Sequence, residues 1–440
     1  MKQLIKNIYL LTMDDSDTTY KNGYLLIEDQ QIAALGPLGT LPAHLFGADE
    51  IVDGHGGLLL PGFVNTHTHI GMIPFRSLGD DVPDRLRRFL FPLEQHMTKS
   101  LVAASSRYAI GELLLSGVTS FCDMYYFEDV VAQCCQEMGV RALVGETIID
   151  QPTCDSPKPS GGLDYCEKFL TQWSNRSELV MPILAPHAPN TNNQETLTKI
   201  LALSERFEAP ITMHVSEMSY EIEAFRQNHQ QTPIEWLHEL GYFQRDFIMA
   251  HCIFATSADI ELIAQAAKNV RIAHCIGANT KSAKGVAPIK EMLAHQITVG
   301  LGTDGPSSGN TLDLFSQMKL FANFQKTYNH DRALFPAKEI VRLATRGGAE
   351  TLGLAEKVGS LEVGKQADLV LVETDSVNMF PIFDPYSALV YSANAGNVTA
   401  VWVNGRLLVK EKQLVDFSLA DLRANLYEEM AGFVQAAKNS

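Results

Sequence analysis

Three things are scarce in this sequence. No apolar run approaches the roughly 20 residues that a bilayer-spanning helix needs, and Met1-Lys2-Gln3-Leu4 does not open a signal peptide, so no membrane partner is expected. Cysteine is sparse: Cys122, Cys134, Cys135, Cys154, Cys166, Cys252 and Cys275 are scattered and odd in number. That excludes a disulfide framework and points to reduced thiols and a cytoplasmic location. Positive charge is in deficit, with 35 Lys and Arg against 51 Asp and Glu, and a net charge of −16 argues against nucleic acid as a partner. Low-complexity tracts and short-period repeats are missing too. A small-molecule substrate and a homo-oligomeric enzyme are expected.

What is present is a long chain with a normal globular mix. At 440 residues it exceeds one ordinary core, and a large barrel with a smaller companion domain fits that length. Residues 1–55 hold short β-rich runs, with Lys21-Asn22-Gly23 as a hairpin-type turn. From residue 58 the text changes. Apolar runs at 58–67, 118–123, 140–146, 179–186, 211–215, 247–251, 270–275 and 297–303 alternate with amphipathic stretches such as 101–116, 195–207 and 257–267. Eight such units predict a (β/α)8 TIM barrel over 56–358. A doubly wound open sheet is the alternative, but it wants a Gly-rich phosphate loop after the first strand, and none stands there. After residue 358 the β-like text returns, with Asn404-Gly405 as a strong hairpin turn and an amphipathic helix over 419–437. Neither end is large enough to stand alone, so residues 1–55 and 359–440 are expected to build one small β-sandwich.

The chemistry gathers where predicted strands stop. The first strand ends in His67-Thr68-His69, and alternation along a strand sends both histidines to one face. The fourth is followed by His187, the fifth carries His214 with Glu217 three residues on, the sixth ends in His251, and the eighth ends in Gly302-Thr303-Asp304-Gly305. In a TIM barrel these C-terminal strand ends form the active face. His67, His69, His214 and Asp304 can supply three nitrogens and one oxygen to a catalytic metal with room left for water. Asp304 can also take the water proton on attack. Glu217 suits a proton shuttle and His251 a hydrogen bond to the attacking water. No lysine in 179–186 is available to bridge two metals as a carbamate, so one divalent metal per chain is expected.

At these residues the chain resembles the amidohydrolase superfamily, in its cytosine deaminase-like and chlorohydrolase group, and most closely the methylthioadenosine/S-adenosylhomocysteine deaminases. The resemblance rests on Pro61-Gly62-Phe63-Val64-Asn65-Thr66-His67-Thr68-His69, His214-Val215-Ser216-Glu217, Ala250-His251-Cys252, Gly302-Thr303-Asp304-Gly305 and the re-entry motif Gly359-Ser360-Leu361-Glu362-Val363-Gly364-Lys365. It implies zinc, with Fe2+ as the other choice, on His67, His69, His214 and Asp304, and Glu217 with His251 as the proton-handling pair. It also implies that His187 contacts a nucleoside and that Glu94 binds ribose hydroxyls. The family's usual tryptophan ahead of that glutamate is replaced by Arg87-Arg88-Phe89-Leu90, where Phe89 is the candidate ring. The arginines that grip a homocysteine carboxylate are missing from 146–164, which holds only Lys158.

The expected function is hydrolytic deamination of an aminated heteroaromatic ring, foremost an adenine-type nucleoside such as methylthioadenosine or adenosine. The alternatives are the same chemistry on a guanine-type base, pterin, pyrimidine or triazine, and a non-catalytic scaffold of the same fold.

Overall fold

The computed structural model describes residues 1–439. Eight parallel strands form one sheet in chain order: β1 (Phe63–Thr68), β2 (Val118–Tyr125), β3 (Arg141–Ile148), β4 (Val180–Pro186), β5 (Ile211–Val215), β6 (Phe247–His251), β7 (Val270–His274) and β8 (Val299–Leu301). The sheet curls into a nearly closed barrel. Just past β8 the Asp304 N–H donates to the His67 carbonyl of β1 at 3.0 Å. Every residue of β1, β2, β3, β5, β6 and β7 is buried. Parallel strands covered on both faces require this, and it is why they read as continuous apolar runs.

The covering helices are amphipathic. In Gln194–Phe207 the buried positions are Thr196, Leu197, Ile200, Leu203 and Ser204, spaced by three and four, so they form one stripe. The Asn193 side chain starts that helix by accepting the Thr196 N–H at 2.9 Å. Thr232 and Thr256 open their helices with capping boxes that use Glu235 and Asp259.

A second, nine-stranded mixed sheet combines both ends of the chain. Lys2–Leu11 pairs antiparallel with Thr19–Glu28 and parallel with Leu58–Pro61, which pairs antiparallel with Leu369–Val372. Val398–Val403 and Arg406–Lys410 extend the sheet through the Asn404-Gly405 turn, where both residues have positive φ, at 51° and 75°. Ile5, Ile8, Leu25, Leu59, Leu369 and Trp402 fill its core. The chain divides into two compact units. One comprises Met1–Asn65, Gly111–Ser120 and Asp313–Phe417, and the other comprises Thr66–Ile110, Phe121–Leu312 and residues from Ser418 on. Among the described residues no helix is long and apolar enough to cross a membrane.

Three local expectations differ from what forms. Lys21-Asn22-Gly23 is no turn and lies inside Thr19–Glu28. Gly23 pairs with Ile8 where the register slips on both sides, so the glycine serves a bulge, whose local composition matches that of a turn. The run at 58–67 splits into two strands in different sheets. The chain passes between them at Gly62, where a Cβ would lie 2.2 Å from Thr119 side-chain atoms. The helix expected over 419–437 is two, Leu419–Glu429 and Ala431–Asn439, and past the break Phe433 packs edge-on against Phe75 with ring centroids 4.7 Å apart.

The terminal sheet contains one buried polar link. Gln3 is fully buried, accepts the Trp402 indole N–H at 3.0 Å and donates to the Gly405 carbonyl at 2.7 Å. Gln3→Leu leaves both groups without a partner. It is expected to destabilise the protein by about 1–3 kcal/mol, read from the denaturant dependence of unfolding.

Candidate active site

The site is built within the second unit, at the C-terminal ends of the strands. His67 and His69 leave β1 together, and two carbonyls set the chemistry of the cluster. His69 Nδ1 lies 2.5 Å from the Met124 carbonyl, and His214 Nδ1 lies 2.7 Å from the His187 carbonyl. A carbonyl only accepts, so each Nδ1 carries the proton and each Nε2 is a bare lone pair. Those two Nε2 atoms face each other at 3.3 Å, and Asp304 Oδ1 lies 3.1 Å from His69 Nε2. Both ring nitrogens of His67, fully buried, find no hydrogen-bond partner among the described residues. Acceptors converging in a dry space need a positive charge between them. Donor atoms of His67, His69 and Asp304 lie within 4.8 Å of one another, and so do those of His67, His214 and His251. This donor set, three imidazoles and a carboxylate, fits a zinc-like cation.

Electrostatics agree with that fit. Burial holds His67 and His214 well below the ordinary imidazole range. Burial also disfavours a charge on His69, but the hydrogen bond and charge of Asp304 overcome it and push the ring up to about 9. Asp304 is held well below the carboxylate range, because the histidines outweigh the cost of burying it.

Backbone geometry shows how closely the rim is specified. Asp304 and His251, just past β8 and at the end of β6, adopt left-handed conformations, with φ of 59° and 72°, which carry a steric cost for a residue with a Cβ. Gly302 lies where a Cβ would come within 3.0 Å of the His67 nitrogen and 2.9 Å of Cys275 Sγ, so only glycine lets β8 approach β1 this closely. Asp123 accepts the Ile70 N–H at 2.7 Å and so secures the segment immediately after His69.

Beside the cluster stands the Glu217–His251 pair, with Oε1 to Nε2 at 3.7 Å. His251 Nδ1 donates to Asn279 Oδ1 at 2.8 Å, which leaves the buried Nε2 facing the site with no hydrogen-bond partner among the described residues. Burial opposes a charge on Glu217, but His251 and Lys284 outweigh it and hold the carboxyl below its ordinary range. The carboxylate of Glu221 accepts the N–H groups of Ser216, Glu217 and Met218 at 3.1, 3.0 and 3.4 Å, fixing the turn that presents Glu217.

The remaining predicted residues fall at different distances from this centre. The His187 ring is 4.9 Å from that of His214, and burial keeps it neutral, down to about 4. Glu94 is buried beneath Tyr125 and Tyr126, with the Tyr126 hydroxyl 3.5 Å from its Oε2. Phe89 is half-buried in the π-turn Leu86–Leu90, and among the described residues no ring contact or hydrogen bond ties it to the histidines. Sequence reasoning missed Asn279, Glu221 and Lys284. Asn279 lies in the short helix Ile276–Lys281 directly after β7, at a C-terminal strand end where polar residues invite suspicion. The other two are ordinary charged residues whose roles depend on loop conformation.

With this geometry the comparisons are decisive. Residues 58–408 match the Amidohydrolase family. The chain belongs to the amidohydrolase family. It is 34% identical over 421 residues to the 5-methylthioadenosine/S-adenosylhomocysteine deaminase of Syntrophobacter fumaroxidans, covering 95% of each chain. Among solved structures, the adenosine deaminase from Xanthomonas campestris with bound zinc superposes with a TM-score of 0.94 at 31% identity, covering 98% of each chain. The zinc complex of atrazine chlorohydrolase TrzN from Arthrobacter aurescens superposes at 0.89 and 23% identity, covering 97% of this chain and all of that one, a likeness of fold.

Glu94 generates a prediction about pH. Burial raises its carboxyl from 4.5 to about 7, so the folded state keeps it neutral where the unfolded chain ionises it. Stability is therefore lost as pH rises from about 4.5 to about 7. Glu94→Gln, which cannot ionise, should match the parent in denaturant midpoint at pH 4 and exceed it at pH 8.

Proposed function

We propose that this chain is a metal-dependent hydrolytic deaminase of an adenine-type nucleoside, carrying one divalent cation on His67, His69, His214 and Asp304. The observation that carries this reading is the pair of carbonyl-locked imidazoles whose bare Nε2 atoms meet Asp304 beside Glu217 and His251. The names of the relatives support it: a methylthioadenosine/S-adenosylhomocysteine deaminase and a zinc-bound adenosine deaminase.

When bound, the cation supplies Lewis acidity and makes water acidic enough to attack near neutral pH. The protein groups do the rest. Glu217, ionised, accepts the proton released on attack and hands it to the ring nitrogen beside the aminated carbon. His251, kept in one tautomer by Asn279, offers Nε2 as an acceptor that orients the water. Asp304, whose carboxylate lies within 4.8 Å of donor atoms of Glu217 and His251, is placed to take the water proton as well. Glu94 accepts the ribose hydroxyls, His187 borders the nucleoside, and Phe89 is the candidate cover for the base. All seven cysteines are free, which suits a cytoplasmic enzyme.

Two outcomes test the site. His69→Ala should lose both metal and activity. Glu217→Gln should keep its metal and lose about a hundredfold or more in kcat, the scale of a missing general acid–base. Elemental analysis on purified variants reads the first property, and steady-state kinetics the second. Loss of metal from Glu217→Gln would make Glu217 a ligand.

Ammonia release tests the substrate. Adenosine and methylthioadenosine should be turned over in preference to S-adenosylhomocysteine, because 146–164 offers no arginine to a charged tail. Above pH 7, where Glu94 is ionised, Glu94→Ala should reduce kcat/KM on nucleosides by about ten- to over a hundredfold, the worth of a hydrogen bond to a charged group, and leave adenine unchanged. Ammonia released only from a pterin, guanine or triazine would reassign the ring.

A further inference from the structure

Lys284 is a half-buried charge that the proposed reaction does not use. It follows β7 and the short helix Ile276–Lys281, its side chain is 17% exposed, and its ammonium lies 2.5 Å from Glu217 Oε1. A cation so far out of water persists where it is paired, and Glu217 is the only carboxylate in ion-pair range of it among the described residues.

This contact determines how Glu217 presents its two oxygens. Oε1 is the atom that faces His251 Nε2, and it is also the atom held by Lys284. Among the described residues Oε2 has no protein partner. The backbone end of the same residue is fixed by Glu221, which accepts the N–H groups of Ser216, Glu217 and Met218. Glu217 is thus clamped at the main chain by one side chain and at a single carboxylate oxygen by another. A carboxylate free to rotate would exchange its oxygens and lose the orientation that proton transfer needs.

We propose that Lys284 is a positioning residue for the proton-transfer step: it engages Oε1 and so reserves Oε2 as the oxygen that takes and returns the proton. The inference rests on the deaminase reading. In the step, a water O–H bond breaks as the C–O bond forms at the aminated carbon, and that proton goes to Glu217 Oε2. Oε2 then delivers it to the adjacent ring nitrogen. The second water proton passes to the amino group, the C–N bond breaks with its electron pair on nitrogen, ammonia leaves and the ring keeps a carbonyl. Lys284 remains an ammonium throughout.

The test uses metal-loaded full-length enzyme with adenosine. Lys284→Met should lower kcat about ten- to a hundredfold, the range for a hydrogen bond to a charged group, with KM within about twofold of the parent. Metal content should equal the parent's. Lys284→Arg, which retains the charge, should recover most of the loss. A crystal structure of Lys284→Met should show the Glu217 carboxylate turned away from His251. Should that variant fail to fold, Lys284→Gln carries the same expectations.

Parent-level kcat in Lys284→Met overturns the proposal. So does a raised KM with unchanged kcat, which would make Lys284 a substrate contact, and so does an unmoved Glu217 in the crystal. A parent enzyme inactive on every nucleoside would sink the deaminase reading instead, and the position of Glu217 in the variant crystal would still decide the role of Lys284.

Discussion

Two backbone carbonyls govern this protein's chemistry. The Met124 and His187 oxygens each take the Nδ1 proton of a histidine, and neither can do anything else. Once those protons are placed, His69 and His214 must point bare Nε2 atoms inward, and Asp304 adds a carboxylate oxygen to the same space. The tautomers are therefore settled by β2 and by the residue that follows β4, neither of which holds a proposed metal ligand. This is the outer-shell orientation on which metal sites depend, here supplied by main chain rather than by side chains. A mutation cannot remove a carbonyl, so the arrangement changes only if a strand moves.

Much of this was legible in the sequence, for a specific reason. Parallel barrel strands are apolar along their whole length, so a histidine or aspartate at the end of one stands out against its neighbours. His67, His69, His214, His251 and Asp304 were readable in that way, and the structure brings them together. The barrel followed from the same alternation of buried runs and amphipathic helices. What escaped depends on the path of loops. Glu221 looks like any acidic residue in the first turn of a helix, yet its carboxylate collects three backbone N–H groups. Lys284 is one of two lysines three residues apart. Lys281 pairs with the half-buried Asp80, while Lys284 turns inward to Glu217, and no local pattern separates them. Gly23 misled because a bulge and a turn ask for the same residue.

The reacting side of the site is held differently from the metal side. His69 and His214 are fixed by main chain, whereas Glu217 is fixed by side chains, through Glu221 and Lys284, and His251 is fixed by Asn279. Side-chain supports can be exchanged one at a time, carbonyl supports cannot. A family that keeps one metal chemistry while changing the ring it acts on would be expected to vary the first kind and keep the second. The loops after β5 and β7, which carry these supports, are where such variation would show.

The cluster also bears on stability. His67 buries both of its ring nitrogens without partners, and the left-handed backbone at His251 and Asp304 adds strain to the same rim. Packing alone does not repay buried acceptors that lack donors. A ligand that binds the folded state and has no preformed site in the unfolded chain stabilises the fold by its own binding free energy. A cation on His67, His69, His214 and Asp304 would satisfy buried acceptors on the barrel rim, and its loading would then be coupled to folding.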